Sequence, residues 1–203
     1  MLTIGVMALT ACTPTLAAAR PVVTLKVAIV PVPIHLSNPH SATYPRTGAI
    51  LGAPLALEAG LTIDGSEYGG GPSPLTSVKF YVPAGAKVNT RGFATCSETT
   101  LKEQGAAGCP KQSLAGALGE ASGTESFGES RVHEKVTLQA LFAPGGGLFF
   151  YAVGHTPAEI ELISKGTFSS DVSPPFGLVF TGEVPLVETV PGALYASVEQ
   201  IKV

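Results

Sequence analysis

Three sets of side chains in this sequence have the types and spacing for chemistry. Glu134, Glu159, Glu161 and Glu183 fall in the second half of the chain. Two of them facing one another could serve as the acid and the base of glycoside hydrolysis. Their setting in alternating apolar and polar runs puts them on solvated strand faces instead. Glu120, Glu125 and Glu129 could gather a calcium ion. Calcium loops favour dense Asp and Asn around a sharp glycine, and this stretch has neither, so it reads as a solvated loop. The histidines are His35, His40, His133 and His155, with no H-x-H or H-x-x-x-H pair among them. His133-Glu134 is followed by Lys135-Val136-Thr137, so the metalloprotease helix motif is absent. On an alternating strand His133 faces solvent, and His155 falls at a turn before Pro157. No G-x-S-x-G elbow is present. Ser66 and Ser126 lie in glycine-containing loops. The sequence therefore carries no catalytic constellation, no metal-ligand spacing and no phosphate-binding loop, and no cofactor is expected.

The cysteines say more. Residues Leu2 to Leu9 are apolar, and small residues follow up to Ala17-Ala18-Ala19. An apolar core followed by A-x-A reads as a secretory signal over residues 1–19, with cleavage after Ala19. The run is too short to span a bilayer, which takes about 20 apolar residues. No Lys or Arg precedes it, so either the start lies upstream of Met1, the favoured reading, or the signal is atypical. Leu9-Thr10-Ala11-Cys12 also resembles a bacterial lipobox, in which Cys12 is lipidated. With Cys12 in the leader, Cys96 and Cys109 remain. An even pair in an exported chain reads as a disulfide. Closing that loop is worth roughly 3 kcal/mol in the chain-entropy view. The pair has no nearby His for zinc and is not C-x-x-C.

Composition bounds the partners. Charged residues make up 13% of the chain, hydrophobic residues 45%, and the net charge is −3. This is a packed core rather than disorder. The most basic stretch, Lys87 to Arg91, holds two charges, far short of a nucleic-acid footprint. Anionic membrane surfaces are disfavoured for the same reason.

The 24 glycines and 17 prolines punctuate the sequence every few residues, as many short strands require. Strands are expected over 22–30, 55–63, 75–82, 132–142, 148–153, 158–168, 178–190 and 194–203. A weak strand followed by a loop is expected over 116–128, and a flexible loop over 64–74. Pro185 marks the 178–190 run as an edge or a bulge. The best hairpin joins Val132–Phe142 to Leu148–Val153 across Pro144-Gly145-Gly146-Gly147. One helix is expected over 97–104, capped by the Thr95-x-x-Glu98 box and stopped by Gly105. The chain stops inside an apparent strand, so either the natural chain runs on or that strand is a terminal edge. About nine strands with one short, disulfide-stapled helix make residues 20–203 a single all-β domain. The expected architecture is an antiparallel two-sheet sandwich of jelly-roll or immunoglobulin-like type, with a β-barrel as the alternative.

The stretch Gly92 to Gly116 (GFATCSETTLKEQGAAGCPKQSLAG) resembles a pattern in uncharacterised exported all-β proteins of high-GC actinobacteria. Pro185 to Val203 (PLVETVPGALYASVEQIKV) is similar to the end of such domains. The resemblance covers about a third of the chain. It implies a secreted or surface-exposed β-sandwich with a Cys96–Cys109 bridge, and it implies no activity.

Phe149, Phe150 and Tyr151 are consecutive, so at least one points away from the core. Tyr44, Tyr68 and Tyr195 lie in or beside loops, where exposed rings could stack on sugars or touch a partner. Core packing accounts for these aromatics more simply. The expected function is a secreted or cell-envelope domain with a non-enzymatic binding or structural role, its partner a cell-surface glycan or protein. The alternatives are a secreted polysaccharide-acting hydrolase and a surface lipoprotein anchored through Cys12.

Overall fold

The structure, a computed structural model, describes residues 20–31, 55–85, 88, 90, 92–128, 130–155 and 158–203. Their elements are β1 (Val22–Pro31), β2 (Leu55–Asp64), β3 (Ser77–Pro83), α1 (Glu98–Gln104), β4 (Leu114–Phe127), β5 (Ser130–Phe142), β6 (Leu148–Gly154), β7 (Ile160–Ser169), β8 (Phe176–Glu183) and β9 (Ser197–Lys202). Two single 3-10 turns, Ala106–Gly108 and Lys111–Ser113, lead from α1 to β4. The expected leader over 1–19, with Cys12, lies outside the described residues, as do His35, His40, Tyr44 and Glu129.

All nine strands belong to one antiparallel sheet, ordered β1-β2-β9-β4-β5-β6-β7-β8-β3, which curls into a half-barrel. The expected division into two sheets is replaced by this continuous ladder. The reason is β9, which pairs with β2 on one side and β4 on the other and so joins what would be two sheets. Strand twist accumulated over nine strands then makes the sheet curl. β9 is therefore interior, not a terminal edge. β8 ends before Pro185 and pairs with both β7 and β3, so it is interior too.

β4 is the larger departure from expectation. Its 14 residues, rich in Gly, Ala and Ser, have little intrinsic strand preference. Pairing on both sides, with β5 and β9, supplies the hydrogen bonds that propensity does not. The helix also begins later than its capping box predicts. Ser97, not Thr95, is the N-cap, and its hydroxyl accepts from Thr100 N–H at 3.0 Å. Cys96 N–H donates to the Phe142 carbonyl at 2.9 Å. That bond holds the chain extended against the end of β5, so helical turns start only after it.

Cross-strand register gives the sheet two unlike faces. One row of direct neighbours, Leu25, Leu61, Ile201, Ala121, Val136, Gly154 and Ile160, crosses seven strands and is wholly apolar. Another row on the opposite face, Thr24, Thr62, Gln200, Ser122 and Lys135, is wholly polar. Leu61, Ile63, Leu138, Ala152 and Phe180 on the apolar face are buried. No helix or second sheet covers them among the described residues, which assigns that face to the inside of the curl.

At the β8 end the inner face is aromatic. Phe168 and Phe80 flank Phe180 across the ladders, with ring centroids 5.0 and 6.2 Å from it, and Phe150 meets it edge-on at 6.0 Å. The Phe180 ring lies over Gly166, where a Cβ would stand 2.3 Å from its Cζ. Only glycine leaves room for the ring there.

Candidate functional site

The stapled excursion sits on the outer face. Cys96 and Cys109 form a disulfide with Cα atoms 5.3 Å apart. It seats Leu101 of α1, fully buried, on Leu141 of β5 and Phe149 of β6, with Tyr151 and Ile163 alongside. Glu98 tightens the contact by reaching Lys102 on its own helix and Lys165 on β7, both at 2.7 Å. Hydrogen bonds from those two ammonium groups hold the Glu98 carboxyl down at about 2. Burial, and behind it Glu161, pushes the Tyr151 phenol up. Beside the helix lies a groove of about 370 Å³ lined by Gly145, Gly146, Lys165 and Phe168 among others. This corner packs the helix onto β5, β6 and β7.

The consecutive aromatics divide as strand geometry requires. Phe149 is buried under the helix, and Phe150 turns to the inner face. The Tyr68 hydroxyl is occupied internally: the Tyr195 backbone N–H donates to it at 3.1 Å. The expected flexible loop over 64–74 is in fact pinned. Arg131 Nη1 donates to the carbonyls of Tyr68 and Gly69 at 2.7 and 2.8 Å, while Nη2 lies 3.4 Å from Ser197 Oγ. Ser73 N–H donates to Glu67 at 2.7 Å, and Tyr68 and Gly71 bond to each other through their backbones. Sequence patterning gave no sign of this, because an Arg on the polar face of a strand looks like any solvated cation.

His133 is exposed on the outer face with Nδ1 3.3 Å from Glu199 Oε2. Glu199 also accepts from Thr124 Oγ1. His155 is exposed at the end of β6. Among the described residues no three of His, Cys, Asp and Glu gather for a metal. Glu120 is exposed and paired with Lys202 at 2.7 Å. Glu125, five residues along the same strand, faces the other side, since an odd separation reverses the face. Glu120 and Glu125 therefore do not converge. Ser66 is exposed, while Ser126 is buried and its carbonyl accepts from Thr189.

Glu159, Glu161 and Glu183 are exposed, as their alternation predicts. Glu134 and Glu125 are not: they are 3% and 4% exposed on the inner face. The reading of Glu134 as solvated is thereby overturned, and the physical reason was visible in its own strand. Val132, Glu134, Val136, Leu138 and Ala140 share one side, and that side is the apolar one. Glu125 pairs with Val132, and Glu134 with Gly123, so the carboxylates are diagonal neighbours on adjacent strands. Such neighbours stand roughly 7–8 Å apart. Burial, and secondarily the Glu134 charge, raises the Glu125 carboxyl above its ordinary value.

Glu134 leans toward β6. Its Oε1 stands where a Cβ on Gly154 would be 2.6 Å away, and its Oε2 accepts from Ala158 N–H at 3.3 Å. Glu125 Oε2 and Glu134 Oε1 have no hydrogen-bond partner among the described residues. A neighbouring pair with one raised carboxyl has the chemical makings of an acid and a base. Both groups are buried.

The inner face itself is open at its β1 edge. Val23, Leu25 and Val27 point the same way along β1 and are 58%, 50% and 49% exposed. Together with Leu61, Ile63 and Ile201 they form an apolar strip leading from solvent into the curl. Comparisons with protein-family models, with curated proteins and with solved structures return no match.

Proposed function

We propose that the chain is an exported, non-enzymatic binding domain of the cell envelope or its exterior, and that the inner face of its half-barrel takes an elongated apolar ligand. The supporting observation is the apolar row from Leu25 to Ile160, which runs across seven strands and reaches solvent at β1. The exposed part of this face is Val23, Leu25 and Val27 on β1, which adjoin the buried Leu61 and Ile63, and an exposed apolar patch of this kind marks a candidate binding site. A curled sheet with an apolar lining buries a long ligand on several sides without closing around it. A glycan partner is less well served, since the Tyr68 hydroxyl is engaged by the Tyr195 backbone and the inner aromatics stack among themselves. Export rests on the leader-like residues 1–19 and agrees with the Cys96–Cys109 bridge, a feature of oxidising compartments.

The test uses the neutral, environment-sensitive dye N-phenyl-1-naphthylamine. Titration into the full chain should enhance its fluorescence saturably, and dodecanol should displace it. Leu25→Asp, at a half-exposed position where folding tolerates the charge, should weaken binding. No saturable enhancement with the unaltered chain would overturn the reading.

A further inference from the structure

Glu125 and Glu134 raise a question that the apolar lining does not answer. Carboxylates are seldom buried without partners. Here two lie side by side on the face that is otherwise hydrocarbon, and each retains one oxygen without a donor among the described residues. Arg131, His133 and Lys135 of β5 all point to the other face, as do Glu120 of β4 and Lys202 of β9. Glu199 lies there too, engaged with Thr124 and His133. At the β6–β7 link His155 and Glu159 are exposed. Glu188, in the segment that bonds β4 through Thr189, is exposed. Among the described residues no cation of these elements stands against the pair, and Glu134 is the charged neighbour that acts on Glu125.

We propose that Glu125 and Glu134 form a proton-operated latch on the β4–β5 end of the sheet, which keeps that end of the inner face packed and dry when Glu125 is protonated and admits water there when both are ionised. The proposal rests on the reading of the inner face as a binding surface, and adds its regulation. The pair stands beside the apolar row: Glu134 is two residues from Val136, and Glu125 four from Ala121. Protonated, Glu125 can remain dry, and a proton donor is available to share with its neighbour. Ionised, both need solvation that the packed end does not provide. Water reaches them most easily at the hairpin end, where β4 and β5 stop at Phe127 and Ser130. A ligand held against the row then meets two charges and water instead of hydrocarbon, so affinity falls as pH rises. Gly154 belongs to the device, because any side chain there would drive Glu134 off its seat.

Two measurements on the full chain test this, with Glu125→Gln and Glu134→Gln as near-isosteric variants. Amide exchange of residues 123–127 and 130–134, corrected for intrinsic base catalysis, should show protection falling as pH goes from 5 to 8. In Glu125→Gln protection should stay flat. Affinity for N-phenyl-1-naphthylamine should fall by about tenfold over that range in the unaltered chain and by less than about twofold in the variant, a coupling of ordinary allosteric size. Parallel pH profiles in both proteins would overturn the latch and leave the binding surface intact. Absence of dye binding with a pH-dependent exchange difference would overturn the binding surface and leave the latch. Should Glu125→Gln fail to fold, Glu134→Gln supplies the same comparison, since either change removes the like-charge pair.

Discussion

Glu125 and Glu134 face the same side of the sheet on neighbouring strands, offset by one diagonal step, and both are buried. Like charges so arranged make the native state sensitive to protons. Glu125 is raised in the folded chain above its ordinary value of 4.5. A raised carboxyl stabilises the fold fully below its unfolded value, and that contribution is lost as pH climbs through the folded value. Thermal unfolding should therefore show the Glu125 contribution fading from pH 4.5 upward. Glu125→Gln should flatten that limb and gain about 1–3 kcal/mol at pH 8, the scale of an unsatisfied buried polar group. A variant less stable than the parent at pH 8 would contradict this.

Glu98 has the opposite sign. Lys102 and Lys165 hold it at about 2, so its contribution is present above 4.5 and lost between 4.5 and about 2. Glu98→Gln should reduce stability slightly at neutral pH, with the difference vanishing below pH 2 and in high salt. Unfolding curves at low and high ionic strength decide the matter.

The stapled corner should be the most sensitive to truncation. Leu101→Ala removes a fully buried side chain from the contact with Leu141 and Phe149 and should cost about 2–5 kcal/mol. Reducing the Cys96–Cys109 bridge should cost about 3 kcal/mol. The two losses should be less than additive, because both release the same helix. A cycle of Leu101→Ala against the paired Cys96→Ser/Cys109→Ser change measures the coupling.

Gly166→Ala should drive the Phe180 ring from its seat, since a Cβ would stand 2.3 Å from Cζ. A loss of about 1–3 kcal/mol is expected from overpacking. Exchange or denaturant unfolding reads it directly, and an unchanged midpoint would argue against the ring-over-glycine contact.

Arg131→Met should free the loop between β2 and β3. Its Nη1 donates to the Tyr68 and Gly69 carbonyls, and lysine cannot span both bonds together with Ser197. Limited proteolysis should cut within residues 65–74 faster in Arg131→Met and in Arg131→Lys alike. Equal rates in all three proteins would show that the loop holds itself.

The sequence made the strand inventory legible because alternation and breakers are local. Val132 to Phe142 and its return through Leu148 are readable from spacing alone. The disulfide followed from the even cysteine count once residues 1–19 were set aside. β4 was not legible as a full strand, because its Gly, Ala and Ser residues depend on β5 and β9 for order. One sheet could not be told from two, because the deciding contacts are between β2, β9 and β4, far apart in sequence. Glu134 shows a subtler limit. It shares a side with Val132 and Val136, yet the alternation reads as putting it on a solvated face; the apolar company it keeps on that side is the stronger guide.

The central position of β9 sets the order of assembly. β1 and β2 pair with each other, and β3 through β8 make a block of near neighbours, but β9 is the bridge between them. It emerges after every other strand. Until it inserts, β2 and β4 each present a bare edge of unsatisfied amides and carbonyls. Folding should therefore be slow and late, dominated by one long-range closure. A chain shortened before Ser197 should yield a detached ribbon and an incomplete sheet prone to self-association.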